Sequence, residues 1–222
     1  MPRSYGGRAR LWLKAAVNGG ALLAVTPFAL TCWLEAKVGL GHEDIFAFWS
    51  HLFSLLPGYP GMALRRAFYQ LTLDSCSAHL FIGFGALFSH RQAQVEDGVY
   101  IGPYALIGSA RLRKGCLIGS RASLLSGGEL HELDADGQWT PFDPSRLRQI
   151  EIGEHAWIGE GSIVMADIGA GSAIAAGTVV SSPVPPHVAM AGNPARFVRR
   201  LSSPRQADSR EENGELPAPS LR

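Results

Sequence analysis

With 222 residues the chain has room for one domain with a sizeable core plus an appendage. Its 20 Lys and Arg against 19 Asp and Glu leave a net charge of +1, so no long-range field draws in nucleic acid or an acidic partner. Three widely spaced cysteines, Cys32, Cys76 and Cys116, are odd in number and lack metal-ligand spacing; they read as small buried hydrophobes in a reducing compartment.

Residues 1–73 differ in composition from the rest. Ala15 to Leu34 is a 20-residue window without a charge, fenced by Lys14 and Glu35 and preceded by Arg3, Arg8 and Arg10. Twenty apolar residues can cross a bilayer, and the basic leader would keep the N-terminus in the cytoplasm. A secretory signal is the rival, but no small-residue cleavage site follows cleanly and Glu35-Ala36-Lys37 leads straight on. Asn18, Gly19, Gly20 and Pro27 weaken the span, which leaves a soluble helical hairpin open. A second stretch, Ile45 to Leu56, is too short to span, carries Phe46, Phe48, Trp49 and Phe53, and breaks at Pro57-Gly58-Tyr59-Pro60-Gly61. Followed by Arg65-Arg66, it reads as interfacial, with the aromatics at headgroup level and the arginines near anionic lipid. Together, Leu11 to Tyr59 is predicted to form a re-entrant or interfacial hairpin, bent at Asn18–Pro27, at the cytoplasmic face of a membrane.

Between Ile101 and Val180 a six-residue unit repeats: an aliphatic residue, then Gly, with a small residue four places after the aliphatic one. The units run Ile101-Gly102 with Ala105, Ile118-Gly119 with Ala122, Ile152-Gly153 with Ala156 and Ile158-Gly159 with Ser162. Ile168-Gly169 with Ser172 and Ile174-Ala175 with Thr178 continue the series. A period of six is neither helical nor that of an exposed strand. It predicts triangular coils of short parallel strands, the aliphatic residue inside, the small one near a corner, and Gly letting the backbone turn. Stacked coils make a left-handed parallel β-helix over residues 74–201. Two irregularities stand out. Val164 to Ile168 is a step of four, a tightened corner, and residues 126–149 lose the phase altogether and leave as a loop. Residues 202–222, polar and proline-containing, are predicted to be a disordered tail.

The hexapeptides IGPYAL, IGSRAS, IGEHAW, IGEGSI and IGAGSA, with the ending Pro183-Val184-Pro185-Pro186 through Ala191-Gly192-Asn193-Pro194-Ala195-Arg196, resemble the hexapeptide-repeat acyltransferases. The ending looks like that of the sugar and small-molecule O-acetyltransferase branch. The resemblance covers roughly the second half of the chain and fades upstream of about Asp74.

The resemblance places the catalytic histidine at His131, in Ser126-Gly127-Gly128-Glu129-Leu130-His131 at the start of the loop. The chemistry is consistent: a hydroxyl of very high pKa attacks an activated thioester, and a histidine near neutrality can accept and return the proton. Glu129, Asp134 and Asp136 are candidates to orient its imidazole, with no choice among them. His155 and His187 read as exposed turn residues. His79, His90, His131 and His155 lack the close spacing of a three-histidine zinc site, so no metal is expected.

For the acetyl-CoA donor, the resemblance matches Ala176 to the rung that contacts the pantetheine arm, and Arg196 and Arg199 to basic residues of the C-terminal extension. Ser181-Ser182 replaces the family's usual Thr-Lys pair, so one cation that meets the nucleotide phosphates is missing. The resemblance also implies a homotrimer about an axis parallel to the shaft. The expected function is acetyl-CoA-dependent O-acylation of a sugar, with a lipid-linked or envelope-polysaccharide precursor suggested by membrane proximity. Two rivals stay open: a non-catalytic membrane-tethered scaffold, and an acetyltransferase for an amino acid or other small hydroxyl compound.

Overall fold

The computed structural model describes residues 6–38, 43–126, 134–140 and 147–202. Three helices, α1 (Gly6–Val38), α2 (Asp44–Ser54) and α3 (Gly58–Thr72), precede a solenoid of short parallel strands. The first turn is β1 (Ser75–Cys76), β2 (Phe81–Ile82) and β3 (Leu87–Phe88); the second is β4 (Gln94–Val95), β5 (Tyr100–Ile101) and β6 (Leu106–Ile107). The third is β7 (Ala110–Leu112), β8 (Leu117–Ile118) and β9 (Ser123–Leu124); the fourth is β10 (Ile150–Ile152), β11 (Trp157–Ile158) and β12 (Ile163–Val164). In the fifth, the first side shrinks to a bridge at Ile168 before β13 (Ala173–Ile174) and β14 (Val179–Val180). The chain then adds β15 (Val188–Ala191) to the second sheet and folds back along it as antiparallel β16 (Arg196–Arg200). The parallel β-helix expected from the period of six is the observed architecture.

The aliphatic residues Ile101, Ile118, Ile152, Ile158 and Ile174 and their small partners Ala105, Ala122, Ala156, Ser162 and Thr178 are all fully buried. Where the small residue is polar, its hydroxyl answers a corner backbone group: Ser162 donates to Ala175 O at 2.9 Å, and Thr178 accepts from Gly192 N at 3.3 Å. The role expected for the repeat glycine needs correcting. Gly159 has no left-handed conformation; a Cβ there would lie 2.5 Å from Ala176 N of the next turn. The glycine allows two backbones to approach, and the corner is turned two residues later, at Arg121 (φ 56°), His155 (φ 55°) and their equivalents.

Inward residues follow one another by six around two corners of each turn, as from Ile152 to Ile158 to Val164. The third corner, from the third sheet back to the first, is the variable one. It takes seven residues from Phe88 to Val95, five from Ile107 to Leu112, and four both from Val164 to Ile168 and from Val180 to Val184. The short step at Val164 is thus one member of a variable series.

An open solenoid end exposes apolar interior and an unpaired strand edge. Here α2 and α3 close the first end. Phe46, Phe53, Phe68, Tyr69 and Phe88 form a buried aromatic layer. Ser50 Oγ donates to Phe88 O at 3.0 Å, and Gly85 N donates to Ser54 O at 2.8 Å. α1 lies over α3 as the outer layer.

Three expectations change. α1 is one continuous helix through Asn18, Gly20 and Pro27, with the proline ring on its exposed side; the hairpin reverses instead beyond Val38, and α2 runs back along α1, Ile45 near Glu35 and Trp49 near Thr31. Phe53 is in the cap core. Arg65 is buried at 1% exposure and donates to carbonyls, and Arg66 donates to Asn18, so neither arginine is a lipid-facing group. The expected disordered tail lies, from residue 203 on, outside the described residues.

Candidate functional site

The loop leaves the solenoid at the variable corner, between the third and fourth turns, through a closed neck. Arg148 N donates to Ser126 O at 2.9 Å, Ser109 N donates to Ser126 Oγ at 2.6 Å, and Ile150 N donates to Ser109 O at 3.2 Å. Gln149 Nε2 reaches Gln92 O one turn further down, at 2.9 Å. On the other side Asp167 accepts from Glu151 N at 2.8 Å and pairs with Arg148 at 3.1 Å. The excursion is therefore bolted to its neighbours above and below. Arg148 and Asp167 are 19 residues apart, so the sequence offered no signal for that pair.

His131 and Glu129 lie outside the described residues. Asp134, the second candidate to orient the histidine, accepts from Asp136 N at 2.9 Å and Gln138 N at 2.8 Å, capping a tight turn within the loop. Asp136 is exposed on that turn. Trp139 projects from the same segment at 70% exposure.

His155 and His187 sit at left-handed corners (φ 55° and 56°), and their rings cover Gly115 and Gly171 of the turns below, where a Cβ would meet the ring at 2.6 Å. Both are turn residues, His155 exposed as read and His187 half-buried. Two histidines have carboxylate partners the sequence did not reveal. His79 Nδ1 lies 3.3 Å from Asp97, largely in solvent; the Ser77 hydroxyl, then His79, holds the Asp97 carboxyl below its ordinary range. His90 Nδ1 lies 3.3 Å from Glu43, both about four-fifths buried. Burial pushes Glu43 up, but the hydrogen bond from His90 and the charge of Arg91 outweigh it, and the carboxyl is held below its ordinary value. Their separation of 47 residues, bridged by the cap, hid the pair.

Burial pushes the thiols of Cys76 and Cys116 up to about 12 and that of Cys32 to about 11, so none is a nucleophile at neutral pH. Among the described residues, no three His, Cys, Asp or Glu side chains gather in a way that could hold a metal ion.

The residues matched to donor binding all belong to the last turn and its extension, but to different edges. Ala176 is exposed at the corner between β13 and β14. The turn from β15 to β16, with its cis Asn193–Pro194 bond, packs on the same corner: Val179 N donates to Gly192 O at 3.0 Å and Ala195 N to Val179 O at 2.8 Å. Arg196 and Arg199 follow on β16, exposed, opposite Ala191 and Ala189 of β15. Ala176 and the arginines thus lie on the last turn and on the strand that folds back along it. Ser181 and Ser182 leave the far end of β14 at the variable corner, on the side from which the loop emerges two turns below.

The outward faces of the three sheets differ sharply. The first is polar, with Gln94, Arg111 and Glu151 in line and bonded to each other. The second carries a ladder of Phe81, Tyr100, Leu117 and Trp157, with Phe81 and Tyr100 stacked at 4.8 Å and each of the four more than a third exposed. The third carries Leu87, Leu106, Ile163 and Val179 around Ser123.

No protein-family model matches the chain. A relative named for lipopolysaccharide biosynthesis O-acetyl transfer, WbbJ of Escherichia coli K12, is 29% identical over 127 residues. The match covers 54% of this chain and spans 63% of the length of that relative. Two solved structures share the fold: a maltose O-acetyltransferase from Clostridium difficile 630 (TM-score 0.56, 17% identity, 71% of this chain and 86% of that one) and a hexapeptide-repeat acetyltransferase from Vibrio cholerae (TM-score 0.54, 22% identity, 71% and 90%). The resemblance read from the hexapeptides and the ending is thus met both in sequence and in fold.

Proposed function

We propose that the chain is an O-acyltransferase that moves an acetyl group from acetyl-CoA to a hydroxyl of a sugar or polysaccharide precursor, with His131 as the general base. The observation that carries this reading is a regular solenoid interrupted by one long excursion, through a neck closed at Ser126 and Arg148, in the segment that holds His131. The E. coli relative's name and the fold of the maltose O-acetyltransferase support it.

The donor side fits the chain's own residues. Exposed Ala175, Ala176 and Gly177 leave backbone open to a long thin arm, and Arg196 and Arg199 offer guanidinium groups for phosphates. The donor supplies a thioester, an acyl group activated toward oxygen. His131 takes the acceptor's hydroxyl proton as the oxygen bonds to the acyl carbon; the carbon–sulfur bond breaks, and the imidazolium returns the proton to the departing sulfur. An ester and a free thiol result, with no redox change.

The outward ladders of the second and third sheets give apolar surface that solvent would leave exposed in a lone solenoid, while the first sheet is polar. They support assembly into a homotrimer through those faces. Because the donor is cytosolic, the site belongs on the cytoplasmic side of the membrane.

Free thiol release from acetyl-CoA in the presence of a glycan panel tests the activity. His131→Ala is expected to lower turnover about 10²- to 10⁴-fold while acetyl-CoA still binds. His90→Ala should leave turnover within a few-fold. If the two results are exchanged, the base is His90 with Glu43 behind it; if no glycan is acylated, the sugar reading falls, and thiol release with serine or another small hydroxyl compound separates the small-molecule acetyltransferase from the scaffold.

A further inference from the structure

α1 has an inner and an outer face, and both are apolar. Toward α3 and α2 it turns Asn18, Ala21, Val25, Ala29, Cys32 and Glu35, a stripe at helical spacing. The opposite side shows Leu23 (78% exposed), Pro27, Leu30, Leu34 and Val38. A helix on the surface of a soluble domain places charge on that side; here none occurs between Ala15 and Leu34. α2, running back beside it, adds Ile45, Phe48, Leu52 and Leu55, and an apolar groove between the two helices is lined by Thr31, Asp44, Ile45, Phe48 and Trp49.

Along the sequence cations flank the apolar stretch of α1, while one acid, Asp44, lines the groove. The first 34 residues carry Arg3, Arg8, Arg10 and Lys14 and no acid, and Lys37 lies 5.2 Å over the Trp33 ring at the other end. That fringe complements anionic headgroups. It opposes a second copy of the chain docked face to face, which would bring the same cations together.

By length and composition Ala15–Val38 could span a bilayer. Its ties to the protein argue otherwise. Arg66 Nη2 donates to Asn18 Oδ1 at 3.1 Å; Arg91 Nη1 donates to Cys32 O at 2.6 Å and its Nη2 pairs with Glu35 at 3.4 Å. These clamps are 14 residues apart, about 21 Å of helix, and the stripe between them is packed on the cap. Lipid cannot surround a helix held in this way.

We infer that α1 and α2 form a monotopic platform: α1 lies in the plane of the interface, its outer face in the lipid of one leaflet, and the capped end of the solenoid rests on an anionic bilayer. The acyl-transfer reading is not needed for this, and the test reads binding without turnover. Full-length protein is floated with vesicles of phosphatidylcholine, with and without phosphatidylglycerol. Flotation is expected, stronger with the anionic lipid. Leu23→Glu, Leu30→Glu and Leu34→Glu together should lower partitioning about a hundredfold with thermal unfolding unchanged, because these side chains point away from the protein. Should that variant misfold, Arg8→Glu with Arg10→Glu and Lys14→Glu should remove the preference for anionic lipid. Cysteines introduced at Ser4 and Ser220 should both react with a membrane-impermeant maleimide added outside. Protection of position 4 alone means a crossing helix and overturns the inference. Absence of flotation, with mass rising with concentration until the leucine changes reverse it, assigns the face to a second copy and overturns it equally.

Discussion

Replacing Arg65 by Met probes how the cap is held to the solenoid. The side chain is 1% exposed, and its guanidinium serves four carbonyls. Nη1 donates to Phe53 O and Ser54 O at 3.2 Å each and to Leu56 O at 2.7 Å, around the end of α2, where intrahelical donors run out. Nη2 donates to Ile82 O of β2 at 3.3 Å, tying the helix end to the first turn. Burial lowers the arginine's pKa, yet the group stays charged at neutral pH. A methionine fills similar space and donates nothing. Two Nη1 protons are shared among three carbonyls and one Nη2 proton serves the fourth, so at about 1.5–3 kcal/mol per charged hydrogen bond the three protons give about 4.5–9 kcal/mol, part of which offsets desolvation of the guanidinium, which the variant avoids. The net loss should be about 3–5 kcal/mol, or roughly 10 °C in Tm for a chain of this size. Urea unfolding followed by circular dichroism measures it. A loss below about 1 kcal/mol would refute the reasoning, showing that the carbonyls find water and that the cap is held by its aromatics alone. Vesicle binding by folded R65M should be unchanged; a selective loss would return Arg65 to the lipid-facing role its sequence position suggested.

Arg196→Ala with Arg199→Ala should weaken acetyl-CoA binding and flatten its salt dependence, measured by calorimetry at low and high salt; an unchanged Kd at low salt removes both arginines from the donor site. Glu43 has a carboxyl pKa held below its ordinary 4.5, so it adds stability above that value and loses it as pH falls through the lower folded-state value. The stability gap between wild type and Glu43→Gln should therefore be full near neutrality and shrink below about pH 4.5 in thermal melts; a gap independent of pH contradicts the ion pairing with His90 and Arg91. The proposed trimer predicts that the wild type sediments as one and that Tyr100→Glu with Trp157→Glu, which places charge on the apolar ladder, sediments as a monomer with the β-helix signal kept; a monomeric wild type refutes the assembly, and a trimeric variant means other faces make the contacts.

The hexapeptides dictated the solenoid because their constraint is local. An aliphatic residue, a small residue and a backbone approach recur every six positions, and each turn contacts its neighbours in the same way. Ile118 with Ala122 and Ile158 with Ser162 could be placed inside the shaft from spacing alone, and so could the break after Leu125. The glycine's purpose could not: Gly159 serves contact with Ala176 of the next turn, which emerges only when turns are stacked. The cap was hidden for a related reason. Hydropathy reads Phe46, Phe53 and Phe68 as apolar whether lipid or a β-helix end covers them, and it reads Arg65 as a surface charge because its acceptors come from two other elements. Glu43 with His90, and Arg148 with Asp167, are pairs made by turns and helices meeting far along the chain. Periodicity carries information about neighbours in a repeat; partners that meet across unrelated segments are chosen by packing, and they became visible only once the coils were wound and their open end was closed.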